Sequence, residues 1–429
     1  MKSKQAFYSV LGNFVYLLAV WALTVVVVRF STDFYAAGLL SLAMTISNVF
    51  YVVACYGMRS FQVSDINQEY SDQCYVLSRI LSISAALIAC VVFILIKGYN
   101  AISFYCILIY MLYKCLEAAS DVLYGVMQKN DDFEHICLSM CLKGVFSFAV
   151  FTLALLFGAS LPIALWCMVA VAVLTLVLID IRICVRYMSP IFSFTRANMQ
   201  RTGKLLLVSL PVMIVLITQP LLMSIPRLFF ERHFSTELLG IYSSVSSPTV
   251  VISTFVSCAI APYIPLFAEY YTKGEKKKLI KLTYGTIIFA AGFGVLALIA
   301  GTFLGDWALS LLYGEELRGY VDILQLVIIV TTGCAIVLCL DCIYIAIRKL
   351  IPLALILLAG CLLCYLVTPF FVMRFAMRGV TYSLLIALAF QIITAIILAH
   401  IYFGKLPKSE KPNDSDAAKG QQKEQSVKQ

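Results

Sequence analysis

Three ionisable residues interrupt an apolar stretch of the sequence at helical spacing. Residues 110–128 read YMLYKCLEAASDVLYGVMQ and contain Lys114, Glu117 and Asp121. On a helix, Lys114 and Asp121 share a face, and Lys114 can pair with Glu117 three residues later. A charge in the middle of a membrane costs at least about 2.5–3.5 kcal/mol unless it meets protein or water. The stretch therefore indicates either an ion pair between packed helices or the wall of a hydrated cavity that binds an anion.

Three further cations lie at the ends of apolar runs or inside them. Arg29 ends the first run, Arg59 ends the second, and Lys143 lies within the fifth. Side chains at such positions often extend to the membrane surface, whereas in a cavity they would bind an anionic ligand. The candidate anion site comprises Arg29, Arg59, Lys114 and Lys143, with Glu117 and Asp121 as supporting or coupling residues.

The sequence shows no pattern typical of an enzyme or a metal site. The 3 histidines are far apart, and the CxxC that begins at Cys361 lies in an apolar run without a second cysteine pair at zinc-ligand spacing. We therefore predict no catalytic residues, no metal and no cofactor. Asp180 and Asp341 lie near helix ends and are candidate residues for binding a coupling Na⁺ or H⁺.

The composition predicts a protein that is embedded in lipid. Hydrophobic residues make up 62% of the chain and charged residues 13%, against roughly 45–50% and 25% in soluble domains. The net charge of +9 comes from short loops between apolar runs. Anionic lipid head groups explain such loops better than nucleic acid does. The first run is too long for a cleaved signal peptide and should remain as a span.

Twelve apolar runs are long enough to cross a membrane, for which a helix needs about 20 residues. The chain is therefore predicted to be an all-α polytopic membrane protein. The predicted spans are 8–29, 36–57, 77–97, 102–127, 136–157, 161–181, 204–225, 239–262, 282–304, 321–346, 351–372 and 379–403. Prolines at 211, 220 and 226 are expected to interrupt the seventh span, and those at 248, 262 and 265 the eighth.

Basic residues are distributed unequally between the two sides of these spans. If the termini lie inside, 23 of the 32 lysines and arginines fall in inner segments and 7 in outer ones, and Lys114 and Lys143 lie within spans. Basic residues concentrate on the cytoplasmic side of membrane proteins. We therefore expect both termini to be cytoplasmic.

A glycine and a serine recur at a fixed offset in the sequence, which indicates an internal repeat of two halves. Gly38 and Ser41, early in the second span, recur as Gly240 and Ser243 early in the eighth, at an offset of 202. The same offset carries the start of the first span onto the seventh. Chance is one explanation, because glycine and serine are common at helix starts, and two parallel six-helix halves, an arrangement known in transporters, are the other. The predicted units are a first lobe (1–187), a cytoplasmic linker (188–203), a second lobe (204–403) and a disordered tail (404–429).

Four stretches of the sequence resemble a known family. They are RFSTDFYAAGLLSLAMTISNVF (29–50), YGMRSFQVSD (56–65), ASDVLYGVMQKNDDFEHICLSMCLKGVFSF (119–148) and GIYSSVSSPTVVISTFVSCAIAPYIPLFAEYYTKGEKKKLIKL (240–282). The chain resembles the Wzx-type oligosaccharide flippases, the polysaccharide transporters of the multidrug/oligosaccharidyl-lipid/polysaccharide exporter superfamily.

This resemblance implies a fold, a substrate and a location. It implies two six-helix lobes around a central cavity, in the bacterial inner membrane, that opens to each side in turn. The substrate would be an undecaprenyl-pyrophosphate-linked oligosaccharide, and the cationic cavity residues would be Arg29 and Arg59, with Lys114 and Lys143 as additions. Partners would be membrane lipids, a polysaccharide polymerase and a chain-length regulator.

Three other functions stay open at this point. A multidrug exporter of the same superfamily would favour acidic cavity groups, and a lipid II flippase differs in cargo and usually carries two extra helices. A membrane polysaccharide polymerase would need a large outer loop with catalytic arginines, and the longest outer loop predicted here is only 305–320.

Overall fold

The computed structural model describes residues 2–31, 33–65, 69–188, 195–260 and 263–404, and within these ranges the chain is helical with no strand. Eleven helices among the described residues are long and apolar enough to cross a membrane. The longest of them, Leu350–Gly404, consists of two helices merged across a kink at Ala376. With both of its arms counted, the prediction of twelve spans in an all-α membrane protein is confirmed.

The first lobe holds six spans, two of which are extended by short helices. The π-helix Leu176–Ile181 connects α7 to α8 without a break, so these pieces form one span. The helices are α1 (Lys2–Phe30), α2 (Phe34–Cys55), α3 (Met58–Ser64), α4 (Asp72–Lys97), α5 (Ala101–Lys129), α6 (Phe133–Leu156), α7 (Leu161–Thr175) and α8 (Arg182–Tyr187).

The second lobe holds the other six spans. Its helix α9 already begins at Arg196, inside the predicted linker, while residues 189–194 of that linker and 405–429 of the predicted tail lie outside the described residues. The helices are α9 (Arg196–His233), α10 (Thr236–Ser246), α11 (Val250–Ile260), α12 (Ile264–Thr272), α13 (Lys276–Tyr313), α14 (Val321–Ala346) and α15 (Leu350–Gly404).

Proline and glycine shape the second lobe at two places. The eighth span is interrupted as predicted, because Ser247–Thr249, which contains Pro248, forms a 3-10 turn between α10 and α11. Helix α9 instead runs continuously through its three prolines. In α15 the bend brings Gly379 so close to the chain that a β-carbon there would lie 2.1 Å from the carbonyl oxygen of Phe371. Only glycine fits this close approach.

Short connections join most of the successive spans, as expected for neighbours that cross a bundle in alternating directions, so the bundle has two ends. We call the end with residues 56–65, 69–71 and 273–281 the basic end, and the end with residues 98–100 and 313–320 the far end. Large apolar side chains such as Phe303, which is 81% exposed, cover the outside of the bundle. Helices that are apolar on all sides are stable in lipid and not in water.

At the basic end, Asp132 joins α6 to α8. Its carboxylate caps α6 by accepting a hydrogen bond from the backbone N–H of His135. The same carboxylate oxygen lies 2.6 Å from Nδ1 of the His135 imidazole ring. The hydroxyl of Tyr187 donates to its second oxygen at 2.8 Å. Partial burial alone would raise the pKa of Asp132, but these hydrogen bonds outweigh it and hold the pKa below its ordinary value.

Candidate functional site

Asp121 of α5 pairs with two arginines from different helices. Its Oδ2 lies 2.7 Å from Nη2 of Arg79 in α4, and its Oδ1 lies 3.3 Å from Nη1 of Arg59 in α3. Arg79 is 1% exposed and also donates to the carbonyl oxygen of Ala54 at 3.0 Å, in the last turn of α2 where that oxygen has no helical partner. Arg59 is 31% exposed and donates to Gln128 as well. Arg59 is thus the solvent-accessible part of this arrangement.

The predicted pairing of Lys114 with Glu117 is present in α5. The Nζ and Oε2 atoms are 2.7 Å apart, and both side chains are less than 10% exposed. Lys114 Nζ also lies 5.1, 5.6 and 5.8 Å from the ring centroids of Tyr51, Tyr110 and Tyr113. Aromatic faces attract cations most strongly where water is excluded. Because Tyr51 belongs to α2, this contact ties α5 to α2.

Lys143 of α6 and Asp180 complete a second buried arrangement. Lys143 Nζ donates to Ser120 at 2.6 Å and to Tyr124 at 3.3 Å. Asp180 accepts hydrogen bonds from Ser120 at 2.7 Å and from Ser139 at 2.5 Å. Its Oδ2 lies 3.9 Å from Lys143 Nζ. Ser120 therefore bridges the buried cation and the buried carboxylate.

Asp180 lies in the π-helix Leu176–Ile181. Single-turn π-segments inside helices occur frequently at functional sites. Here the segment carries the carboxylate to the serines of α5 and α6. The sequence analysis placed Asp180 near a helix end as a candidate coupling residue and did not connect it with Lys143.

These side chains form one charge cluster inside the first lobe. It contains four cations and three carboxylates, so its net formal charge is positive by one. Ion pairs that are withdrawn from water need nearly complete pairing to persist. The charge cluster consists of Arg59, Arg79, Lys114, Lys143, Glu117, Asp121 and Asp180.

Five of the six predicted site residues lie in this cluster, and Arg29 does not. Arg29 lies at the far end, where its Nε donates to the carbonyl oxygen of Leu312 at 2.9 Å and its Nη2 to that of Ser310 at 3.1 Å. A third bond from Nη2 goes to the carbonyl oxygen of Leu311. These are the terminal carbonyls of α13, which carry partial negative charge. Arg29 therefore connects the first lobe to the second.

Sequence reasoning missed Arg79 as a site residue because it was counted with the inner basic segments. It is two residues inside the predicted span 77–97, in the apolar run VLSRILSIS. An arginine surrounded by apolar residues needs a buried partner. That signal was available, but the partner, Asp121, is 42 residues away in the chain.

The glycine and serine that recur at an offset of 202 residues contact each other directly between the lobes. Ser41 and Ser243 are hydrogen bonded to each other. A β-carbon on Gly240 would lie 2.8 Å from the backbone nitrogen of Gly38, so the two helices cross backbone to backbone. Equivalent residues of two repeats meet only near the axis that relates them. We call Gly38, Ser41, Gly240 and Ser243 the far-end contact.

A second connection closes the far end beside Arg29. The hydroxyl of Thr24 in α1 donates to Ser247 at 3.2 Å, and Ser247 is hydrogen bonded to the hydroxyl of Tyr313, the last residue of α13. The two lobes are thus joined across the far end from both sides.

Comparison with known proteins agrees with this architecture. The family of polysaccharide biosynthesis proteins matches residues 3–271. The capsular polysaccharide biosynthesis protein CapF of Staphylococcus aureus is 26% identical over 310 residues, which cover 72% of this chain and 76% of that protein.

Solved structures of low sequence identity share the fold. The lipid II flippase MurJ in an inward closed conformation is similar with a TM-score of 0.69 at 12% identity, over 94% of this chain and 90% of that one. A multidrug resistance MATE family transporter in an inward-facing conformation gives 0.68 at 11% identity, over 93% and 95% of the two chains. An outward-facing MATE transporter gives 0.60 at 14% identity, over 94% and 95%. The chain therefore belongs to the polysaccharide biosynthesis protein family and has the two-lobe fold of the MOP superfamily transporters.

Proposed function

We propose that the protein is a flippase that moves undecaprenyl-pyrophosphate-linked oligosaccharides from the inner to the outer leaflet for surface polysaccharide biosynthesis. The observation that carries this proposal is the charge cluster, in which cations exceed carboxylates inside a membrane-embedded lobe. A diphosphate cannot cross hydrocarbon unaided, and a cationic hydrated site lowers that barrier. The family match and the capsule-related relative support a cargo of this class.

Arg59 is the residue best placed to meet the diphosphate. Its planar guanidinium can bind phosphate oxygens with two parallel hydrogen bonds. Its distance to Asp121, 3.3 Å, is longer than the 2.7 Å between Arg79 and Asp121. Arg59 can therefore turn to a ligand while Asp121 stays paired with Arg79. Lys114 and Lys143 lie deeper and would contribute mainly to the electrostatic field.

Alternating access would use the two lobes as separate bodies. Arg29, the far-end contact and Ser247 close the far end, and the fold is more similar to the inward-facing than to the outward-facing MATE structure, with TM-scores of 0.68 and 0.60. Both observations support a state that is closed at the far end, while at the basic end the first turns of α9 stay in contact with the first lobe through the hydrogen bond from Thr202 to Cys74. We infer that this end and both termini are cytoplasmic, in the bacterial inner membrane. No covalent step is required, so we propose a transporter and not an enzyme.

The same cluster bears on the other functions. A multidrug exporter for cationic drugs would need an excess of carboxylates, which the charge cluster lacks. A lipid II flippase would carry a similar diphosphate, so cargo alone distinguishes it. A polymerase, a chain-length regulator and coupling to Na⁺ or H⁺ through Asp180 or Asp341 stay predictions.

Arg59→Gln tests the proposal, because it removes the excess positive charge and leaves Asp121 paired with Arg79. The matched control is Arg378→Gln, which removes the same charge from an exposed pair with Asp322 in the second lobe. Loss of a charged hydrogen bond is worth about 1.5–3 kcal/mol. We therefore expect flipping of undecaprenyl-pyrophosphate glycolipid in proteoliposomes to fall about 10- to 100-fold for Arg59→Gln and less than twofold for the control.

Two results would contradict the proposal. Equal flipping by the two variants at equal amounts of folded protein would remove the cluster from the transport path. Cationic drug transport by the wild type, with no glycolipid flipping, would identify a multidrug exporter instead.

A further inference from the structure

A groove at the basic end of the second lobe lies outside the charge cluster and the lobe contacts. It runs between the end of α11, helix α12 and the first turns of α13, and its volume is about 630 Å³. Its floor and its rim differ in chemistry. The lining residues are Ala259, Ile260, Tyr263, Leu266, Tyr270, Lys278, Lys281, Leu282, Gly285, Thr286 and Phe289.

The floor of this basic groove is apolar and open. Ile260, Leu266, Leu282 and Phe289 provide aliphatic and aromatic surface. At Gly285 no atom lies within 4 Å of the position that a β-carbon would take. The missing side chain thus leaves room along the floor for a hydrocarbon chain.

The rim carries positive charge and a tyrosine beside it. Lys278 lies 2.9 Å from Glu275 and 5.7 Å from the ring centroid of Tyr270, and its side chain is 61% exposed. Lys281 is exposed one turn further along α13. With Glu275 included, the rim keeps one excess positive charge. Tyrosine and lysine next to an apolar groove are typical of the boundary between hydrocarbon and lipid head groups.

We propose that the basic groove binds an anionic phospholipid of the adjacent leaflet. Lys278 and Lys281 contact its phosphate, and one acyl chain lies on the floor beside Gly285. A soluble anion would use the lysines and leave the apolar floor empty, whereas a neutral lipid would use the floor alone. Only a lipid with net negative charge satisfies both parts. This site is independent of the proposed transport function.

Native mass spectrometry of the full chain from nanodiscs of equal phosphatidylethanolamine and phosphatidylglycerol tests the rim. Lys278→Gln/Lys281→Gln is compared with Lys276→Gln/Lys277→Gln, which loses the same charge on the same helix outside the groove. A basic residue near an anionic membrane surface is worth about fivefold in affinity. Since Glu275 offsets part of this, we expect phosphatidylglycerol retention to fall about tenfold for the groove variant and less than twofold for the control.

The floor is tested with a second matched pair. Gly285→Leu fills the groove, while Gly292→Leu adds the same side chain to the same helix at another position with no atom within 4 Å. We expect only Gly285→Leu to lower phosphatidylglycerol retention, at least threefold. Equal losses in the two lysine pairs, or full retention by Gly285→Leu, would overturn the proposal. Displacement of phosphatidylglycerol by equimolar undecaprenyl phosphate would also overturn it and assign the groove to a polyprenyl lipid.

Discussion

The two lobes share one architecture, but their interiors differ in charge. Every charged residue that is less than 9% exposed among the described residues lies in the first lobe, namely Arg79, Lys114, Glu117, Lys143 and Asp180. The buried polar residues of the described second lobe are serines, threonines and Gln391. Charged residues of the described second lobe are at most partly buried, although Nε of Arg227 and Oδ1 of Asp341 are shielded from solvent and have no hydrogen-bond partner among the described residues. Because buried charge is costly, its concentration in the first lobe is the basis of the function proposed above.

The second lobe is stabilised by apolar packing around α14 and α15. Leu340, Ile343 and Tyr344 of α14 belong to a large buried cluster with residues of α15. The hydroxyl of Tyr344 donates to the carbonyl oxygen of Ala395 at 2.7 Å. A half-buried carboxylate, Asp341, has one oxygen without a partner among the described residues. The two lobes thus differ in that buried charge is concentrated in the first, whereas the second is packed mainly through apolar side chains.

The largest expected effect contrasts one carboxylate from each lobe. Asp121→Ala leaves the buried guanidinium of Arg79 without a counter-charge, which costs about 3–5 kcal/mol of stability. Asp322→Ala removes an exposed partner of Arg378 and costs about 0–1 kcal/mol. Thermal unfolding of both variants in the same detergent measures the difference. Equal melting temperatures would break the contrast between the lobes.

A smaller effect is expected at Lys114. Lys114→Met leaves Glu117 buried and unpaired, and we expect a loss of about 1–3 kcal/mol, because a carboxyl group, unlike an arginine, can neutralise itself by binding a proton. Lys114→Met/Glu117→Gln should recover most of this loss, since neither charge remains. Unfolding of the two variants shows whether the pair acts as a unit. Normal flipping by the double variant would make the pair a structural link between α5 and α2, whereas lost flipping at normal stability would place Lys114 in the anion site.

The smallest effect on stability is expected at the far-end contact, where the proposed alternating access requires the lobes to separate. Ser41→Cys/Ser243→Cys places two thiols where two hydroxyls are hydrogen bonded. We expect mild oxidation to form a disulfide, detected by peptide mass spectrometry, and to abolish flipping until a reductant is added. Each single variant controls for oxidation of the native cysteines. Unchanged flipping in the cross-linked protein would show that the far end does not open.

Much of the fold could be predicted from the sequence, because whether a segment enters the membrane depends mainly on the hydropathy of its own residues. The twelve spans follow from apolar length alone, and the boundary errors are informative. The seventh span was predicted as 204–225, whereas α9 covers Arg196–His233. Its polar first turns pack against the first lobe, where the hydroxyl of Thr202 donates to the carbonyl oxygen of Cys74. The hydropathy of residues 196–203 alone does not predict this contact with the other lobe.

The candidate site was predictable only in part. Lys114 and Glu117 share one helix turn, so their spacing alone predicts the pair. Arg29 and Arg59 have the same appearance in the sequence, since each is an arginine that ends an apolar run. The structure puts Arg59 beside Asp121 and Arg29 on the terminal carbonyls of α13. Nothing local to either arginine distinguishes these outcomes.

The sequence by itself determined that the chain is embedded in a membrane and how many times it crosses, and it predicted that two halves repeat. Each of these properties depends on the transfer of nearby residues into hydrocarbon or on similarity at a fixed offset. Only the tertiary structure decided which charges meet. Arg59, Arg79, Asp121, Lys143 and Asp180 come from separate helices, and a buried charge is stabilised by whatever packing brings within a few ångströms. That distance is a property of the assembled lobe and not of any single segment.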